Sequence, residues 1–271
     1  MKVWRWLDSG TADGANQMSV DAALLRNPSR TTVPTFRIYQ WQPRCISLGI
    51  HQPDLPIHFE RCRSERVDVV RRPTGGRAVF HSDEITYALV IPREAEWYMR
   101  SKHDLYRVIS TGIEKGLRDL GLPVDYVKRS APPDSPSDRS VSISCFSSSA
   151  RWEILLAGKK LVGSAQRLTA DGFLQHGSIL TGKGHSGLMD FFLGTVTHPS
   201  ARESAFEKNA ISIEEFTGRK ISRREVADSL RPAMEAVFSI RFRDSELTGP
   251  EKQLAESLRN RFAVFDSEGS N

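Results

Sequence analysis

The apolar residues of this chain change period from one stretch to the next, and that change restricts the fold more than any other feature. Between Ala12 and Arg26, Met18, Ala22 and Leu25 recur at helical spacing, and Asn27-Pro28 ends the run. From Thr35 the spacing shortens to two. Phe36 and Ile38 alternate with polar residues, as do Ile46, Leu48 and Ile50. Pro43-Arg44 between these runs predicts a hairpin. Val67, Val69 and Val70 form a short apolar run ahead of Arg71-Arg72-Pro73 and the turn Thr74-Gly75-Gly76. Ile85, Tyr87, Leu89 and Ile91 then predict a strand with one buried face. Helical spacing returns from Asp104 to Leu120, where Leu105, Val108, Ile109, Ile113, Leu117 and Leu120 share a face and Gly121 is a natural stop.

The segment from Arg129 to Ser142 holds Pro132, Pro133 and Pro136 among polar residues, so an exposed loop is expected. A β-rich block follows from Ser142 to Leu180, with turn signals at Ala157-Gly158 and Asp171-Gly172. Ser212 with Glu215 and Ser222 with Glu225 have capping-box spacing. Val226, Leu230, Ala233 and Val237 form an apolar stripe on a helix that Pro232 should bend. Leu254, Leu258 and Phe262 predict a short terminal helix. The fold class is therefore α+β: a mixed or antiparallel β-sheet flanked by helices.

Composition narrows the function. Its 271 residues can bury a substantial core, and 39% hydrophobic with 26% charged residues is ordinary for a soluble globular protein. The formal charge of +5 makes acidic partners plausible, but the basic residues are scattered, so nucleic acid is not indicated. No stretch has the apolar length of a membrane span, and the N-terminus lacks a signal-peptide core. The three cysteines, Cys45, Cys62 and Cys145, show no CxxC spacing. They predict neither a disulfide framework nor a zinc site, and they fit a reducing cytoplasm. No histidine pattern marks a metal site.

Four runs can carry chemistry. In Arg71-Arg72-Pro73-Thr74-Gly75-Gly76-Arg77-Ala78-Val79-Phe80-His81, glycine N–H groups at a strand end can cradle an anion or a carbonyl. A tight hairpin turn with solvated arginines explains the same residues. In Lys159-Lys160-Leu161-Val162-Gly163-Ser164-Ala165-Gln166, small side chains leave room for a ligand chain beside a lysine, although an exposed hairpin also fits. Cys145 in Ser142-Ile143-Ser144-Cys145-Phe146 opens the block that carries Lys160; an ammonium close by would favour its thiolate. Cys45 and Cys62 read as packing residues. His176 and Gly177 in Leu174-Gln175-His176-Gly177-Ser178 read either as pocket-lining or as structural.

In this order, RRPTGGRAVFH with Glu84-Ile85-Thr86-Tyr87, CF-x6-EI, GKKLVGSAQ and LQHGSIL resemble the biotin/lipoate ligase and lipoyl/octanoyl transferase superfamily. The resemblance spans about residues 30–245. It implies a class II biotin/lipoate ligase-like catalytic domain over residues 1–245, followed by a C-terminal helical extension over 246–271. The GGR form of the loop and the positions of Cys145 and Lys160 are similar to the cysteine-dependent octanoyltransferases of the Gram-positive type. Ser149-Ala150-Arg151-Trp152 stand where those enzymes carry Pro-Ser and an aromatic.

Several expectations follow from the resemblance. Octanoyl passes from acyl carrier protein to Cys145, and from there to a lysine of a lipoyl domain such as glycine cleavage H protein. Lys160 assists as the second catalytic residue. Arg72, Thr74, Gly75, Gly76, Arg77, Ala78, Val79, His81, Gly163, Ser164, Ala165, His176 and Gly177 bind the acyl substrate. The enzyme is a cytoplasmic monomer that needs no cofactor or metal. Two rival readings are an ATP- and Mg-dependent lipoate–protein ligase and a non-catalytic lipoyl-domain-binding protein.

Overall fold

The computed structural model describes residues 1–128, 152–193 and 209–264. In chain order its strands are β1 (Lys2–Ala12), β2 (Thr35–Trp41), β3 (Arg44–Leu48), β4 (Val67–Arg71), β5 (Val79–His81), β6 (Glu84–Pro92), β7 (Val124–Lys128), β8 (Trp152–Leu156), β9 (Lys159–Leu168), β10 (Gly172–Leu180) and β11 (Ile240–Asp244). Its helices are α1 (Gly14–Arg26), α2 (Phe59–Ser64), α3 (Lys102–Asp119), α4 (Ile213–Thr217), α5 (Arg223–Phe238) and α6 (Gly249–Leu258). Hydrogen bonding sorts the strands into an eight-stranded sheet, β11-β1-β2-β6-β10-β9-β8-β7, and a three-stranded sheet, β4-β3-β5. β1 runs parallel to both of its neighbours, and the rest of the large sheet is antiparallel. The expected α+β class with a mixed sheet holds.

Both faces of the large sheet are covered. On one, Ile109, Ile113 and Leu117 of α3 and Leu230 and Met234 of α5 pack with Phe36, Ile38, Tyr87 and Leu89. On the other, Met18, Leu24 and Leu25 of α1 and Ala255 of α6 pack with Tyr39, Ala88, Val90 and Leu174. Every residue of β6 is therefore buried, where its alternation predicts one buried face. The polar letters of the alternation mislead because Thr86 and one carboxylate oxygen of Glu84 find their hydrogen bonds inside the protein.

Other expectations change for reasons of pairing. β2 and β3 do not form a hairpin, because they belong to different sheets. The Thr74-Gly75-Gly76 turn is not a hairpin turn either: β3 lies between β4 and β5, so the loop crosses over β3. Pro232 lies inside α5 without breaking it. β1 was hidden by Lys2, Arg5 and Asp8. Arg5 is buried because Glu251 of α6 takes two of its N–H groups, at 2.6 and 2.9 Å.

Turn chemistry worked well. Ala157 and Gly158 both have positive φ, 50° and 74°, as a two-residue hairpin between β8 and β9 demands. Both expected capping boxes form, and Thr248 with Glu251 makes a third. The predicted loop from Arg129 to Ser142, and Cys145 after it, lie outside the described residues.

Candidate active site

The Arg71-to-Val79 loop reaches β10 through His176 and β9 through Arg167. The loop is held there by its carbonyl groups. Arg167 of β9 donates to Pro73 O at 2.7 Å, and Ile50 N–H donates to Thr74 O at 2.9 Å. Buried Arg72 donates to Gly75 O at 2.8 Å and to Arg77 O at 2.7 Å. A peptide unit is planar and trans, so its N–H points opposite to its C=O. Holding those carbonyls inward turns the N–H groups of Thr74, Gly75 and Gly76 the other way. Backbone N–H groups of such a loop can hold an anion or a carbonyl oxygen where they converge. Gly76 has φ 96°, a backbone conformation that strains any residue with a side chain, and its carbonyl blocks any Cβ at Gly49. A Cβ on Gly75 would meet nothing within 4 Å.

Two hydroxyl–imidazole–carboxylate chains lie beneath the loop. In the first, Thr74 Oγ1 is 2.6 Å from His176 Nε2, and His176 Nδ1 is 3.0 Å from Asp21 Oδ2. Asp21 also accepts from Arg37 Nη1 at 2.6 Å and from the Tyr39 hydroxyl at 2.9 Å. Burial opposes the charge on Asp21, but Arg37 and then His176 outweigh it, so its carboxyl lies below the usual range. Burial pushes His176 down, against the pull of Asp21, so its imidazole is neutral at pH 7. Asp21 only accepts, so Nδ1 carries the proton and Nε2 accepts from Thr74 O–H.

In the second chain, Ser47 Oγ is 2.7 Å from His81 Nε2, and His81 Nδ1 is 2.7 Å from Glu84 Oε1. Arg72 Nη1 reaches the same Ser47 hydroxyl at 3.1 Å and Ser47 O at 2.8 Å. His81 stacks on Trp41 with centroids 4.0 Å apart. Burial opposes ionisation of Glu84, but His81, Ser178 and Thr86 together lower its pKa. Glu84 Oε2 is buried with no hydrogen-bond partner among the described residues.

The candidate residues thus take distinct places. Arg72, Thr74, His81 and His176 are buried, and their polar atoms bond within the protein. Ala78 is buried in the core of the small sheet, with Val79 and Arg77 half-buried beside it. The register pairs Gly163 with Ser178, Ser164 with Gly177 and Ala165 with His176, so the small residues of β9 lie next to His176. Gly177 leaves room for its neighbours rather than for a ligand: a Cβ there would come within 2.6 Å of Gly163 O. Ser164 Oγ hydrogen-bonds the Tyr87 hydroxyl at 2.7 Å, and burial pushes the Tyr87 hydroxyl up to about 12.

Lys160 lies on β9 three residues, about 10 Å, before Gly163. It is buried, and its Nζ is 3.2 Å from Glu153 Oε1, also buried. The β8–β9 hairpin brings these two together; Cys145 lies outside the described residues. Cys45 and Cys62 are buried free thiols, and burial raises both, Cys62 to about 11, so neither is a nucleophile.

Asp21, Arg37 and Arg167 escaped the sequence reading, and Glu153 entered it only as part of the CF-x6-EI motif. Asp21 carried a signal: with Gln17, Leu24 and Leu25 it shares one helix face, and an acidic residue on such a face needs a buried partner.

The model of the lipoyl protein ligase A/B catalytic domain matches residues 13–235. An octanoyltransferase LipM of Kyrpidia tusciae is 34% identical over 273 residues, covering 97% of each chain. An octanoyltransferase LipM of Bacillus subtilis is 32% identical, covering 95% of this chain and 94% of that one. Among solved structures, a lipoate-protein ligase A bound with ATP superposes with TM-score 0.72 at 21% identity, covering 96% of this chain and 95% of that one. A bi-partite lipoate protein ligase from Thermoplasma acidophilum, studied with its E2 lipoyl domain, gives 0.73 at 19%, covering 96% and 93%. The two structures show a shared fold, and the matched model and the end-to-end relatives show more: the chain belongs to the lipoyl protein ligase A/B catalytic domain family.

Proposed function

We infer that this protein is an octanoyltransferase of lipoate biosynthesis. The observation that carries the reading is its end-to-end similarity to bacterial octanoyltransferases. The donor is octanoyl-acyl carrier protein, and the acceptor is a lysine of a lipoyl domain such as glycine cleavage H protein. In the first half-reaction the Cys145 thiolate attacks the thioester carbonyl, and the carrier's thiol leaves. In the second, the acceptor amine attacks octanoyl-Cys145, the amide forms, and the Cys145 thiol is released. A thioester is exchanged for a thioester and then for a more stable amide, so neither ATP nor a metal is required. The N–H groups of Thr74, Gly75 and Gly76 hold the acyl carbonyl or its oxyanion in this reading. Gly163, Ser164 and Ala165 leave room for the acyl chain between Lys160 and the loop. The net +5 charge assists encounter with acidic carrier proteins. A reducing cytoplasm keeps the thiol available.

Intact-mass spectrometry tests this. Incubated with octanoyl carrier protein and no ATP, the wild type should gain one octanoyl group, and Cys145→Ser should gain none. No adduct, together with ATP-dependent transfer of free lipoate, would instead make the protein a ligase. No transfer under either condition, with acceptor binding retained, would make it a binding module.

A second test concerns the open side of the loop. Gly75 has no positive φ, so Gly75→Ala should leave stability unchanged or raise it by about 0.4–1 kcal/mol. Its methyl group enters the space assigned to the acyl group, so acylation should fall by about 5- to 150-fold, the effect of a steric intrusion of about 1–3 kcal/mol. Full activity in a stable Gly75→Ala protein would place the acyl group elsewhere.

A further inference from the structure

We propose that Asp21 is a positioning residue for acyl transfer, acting through the His176 imidazole on the hydroxyl of Thr74 at the head of the Thr74–Gly76 loop. The inference rests on the reading that this loop receives the acyl carbonyl.

Thr74 is fully buried and joins the protein at two points. Its carbonyl accepts from Ile50 N–H, and its hydroxyl contacts His176 Nε2. The hydroxyl can donate or accept, and His176 decides which. With the imidazole proton on Nδ1, Nε2 accepts and Thr74 donates. With the proton on Nε2, the polarity reverses and the Thr74 hydrogen must turn elsewhere in a buried site. Asp21 makes the first arrangement the stable one because a carboxylate can only accept from Nδ1.

Arg37 and Tyr39 hold the carboxylate itself. They approach it at 2.6 and 2.9 Å, and Arg37 also donates to Ser9 Oγ at 2.7 Å and to Gln17 O at 3.0 Å. The chain Arg37–Asp21–His176–Thr74 therefore carries a fixed hydrogen-bond direction from α1 and β2, through β10, to the loop. Arg72, which fixes Gly75 O and Arg77 O, is anchored through Ser47 by the Glu84 chain. The loop's N–H row is thus oriented from both ends by buried groups that need not touch the substrate.

The test is the time course of octanoyl adduct formation under saturating octanoyl carrier protein. Asp21→Asn should reduce the rate constant about ten- to a hundredfold, as expected for a reversed or unpaired buried hydrogen bond, while the final adduct stays at one octanoyl per chain. Partial unfolding would instead lower the final adduct and leave the rate constant of the folded fraction unchanged, and that result would overturn the proposal. Nitrogen-15 chemical shifts of His176 should show the proton on Nδ1 in the wild type and on Nε2 in Asp21→Asn. Thr74→Val should slow acylation as much as Asp21→Asn, and Thr74→Ser should keep the wild-type rate. The double variant Asp21→Asn, Thr74→Val should be no slower than either single one.

A wild-type rate in Asp21→Asn or in Thr74→Val overturns the proposal, as does an additive double variant. If Asp21→Asn does not fold, the comparison of Thr74→Val with Thr74→Ser decides alone. Failure of the octanoyltransferase reading appears separately, as an absence of adduct in the wild type.

Discussion

Replacing Lys160 with methionine is expected to damage both stability and reactivity. Lys160 and Glu153 are an ion pair with side-chain exposures of 9% and 2%. Removing one partner of a buried pair costs about 3–5 kcal/mol, because the other charge keeps its desolvation penalty. Adding Glu153→Gln to Lys160→Met should recover most of that loss, since the stranded charge disappears with its partner. The pair also alters what Lys160 can do for Cys145. A lone ammonium would strongly favour a neighbouring thiolate, but beside Glu153 its field is largely offset. Deleting Lys160 leaves a net negative site, so alkylation of Cys145 should move to higher pH by about one unit or more. Glu153→Gln alone removes a negative charge beside the ammonium and should move it to lower pH. Profiles that shift in neither variant would mean that Cys145 is not electrostatically coupled to this pair.

A comparable loss of stability is expected for Arg37→Met. Arg37 is fully buried on β2, stacks over the Tyr39 ring at 4.0 Å and meets Asp21 at 2.6 Å. Its loss leaves the Asp21 carboxylate buried without its strongest counter-charge, at a cost of about 3–5 kcal/mol. The thermal midpoint should fall by about 6–20 °C. Adding Asp21→Asn to Arg37→Met should raise the midpoint again, because the stranded charge is then neutral. A midpoint within about 2 °C of wild type in Arg37→Met would show that Asp21 is not held ionised by this pair.

The helix over Lys102–Asp119, strand β6 and the two capping boxes were readable because their signals are local. Spacing, turn residues and cap residues all lie within one element. What was missed depends on partners far along the chain. Arg37 looks like the outward-facing residue of a half-buried strand until Asp21 is placed beside it. Arg5 looks like N-terminal polarity until Glu251, 246 residues away, is found to neutralise it. β2 and β3 look like a hairpin because the reading cannot tell that each pairs into a different sheet. The site shows the same division. Thr74 and His176 were recognisable as candidates from their motifs. That they meet at 2.6 Å, and that Asp21 closes the chain, follows only from tertiary packing.

The pairing of β1 with β11 also bears on how the protein is made. β1 lies between β2 and β11, α1 packs on α6, and Val264 N–H bonds to Val69 O on the outer strand of the small sheet. Residues 240–264 thus complete surfaces built by the first 70. At ordinary synthesis rates those early surfaces wait roughly 10–50 s on the ribosome before their cover emerges. During that interval one edge of β1 and the outer face of α1 are bare. Nascent chains stalled before residue 240 should therefore be the ones that engage chaperones, and emergence of residues 240–264 should free them.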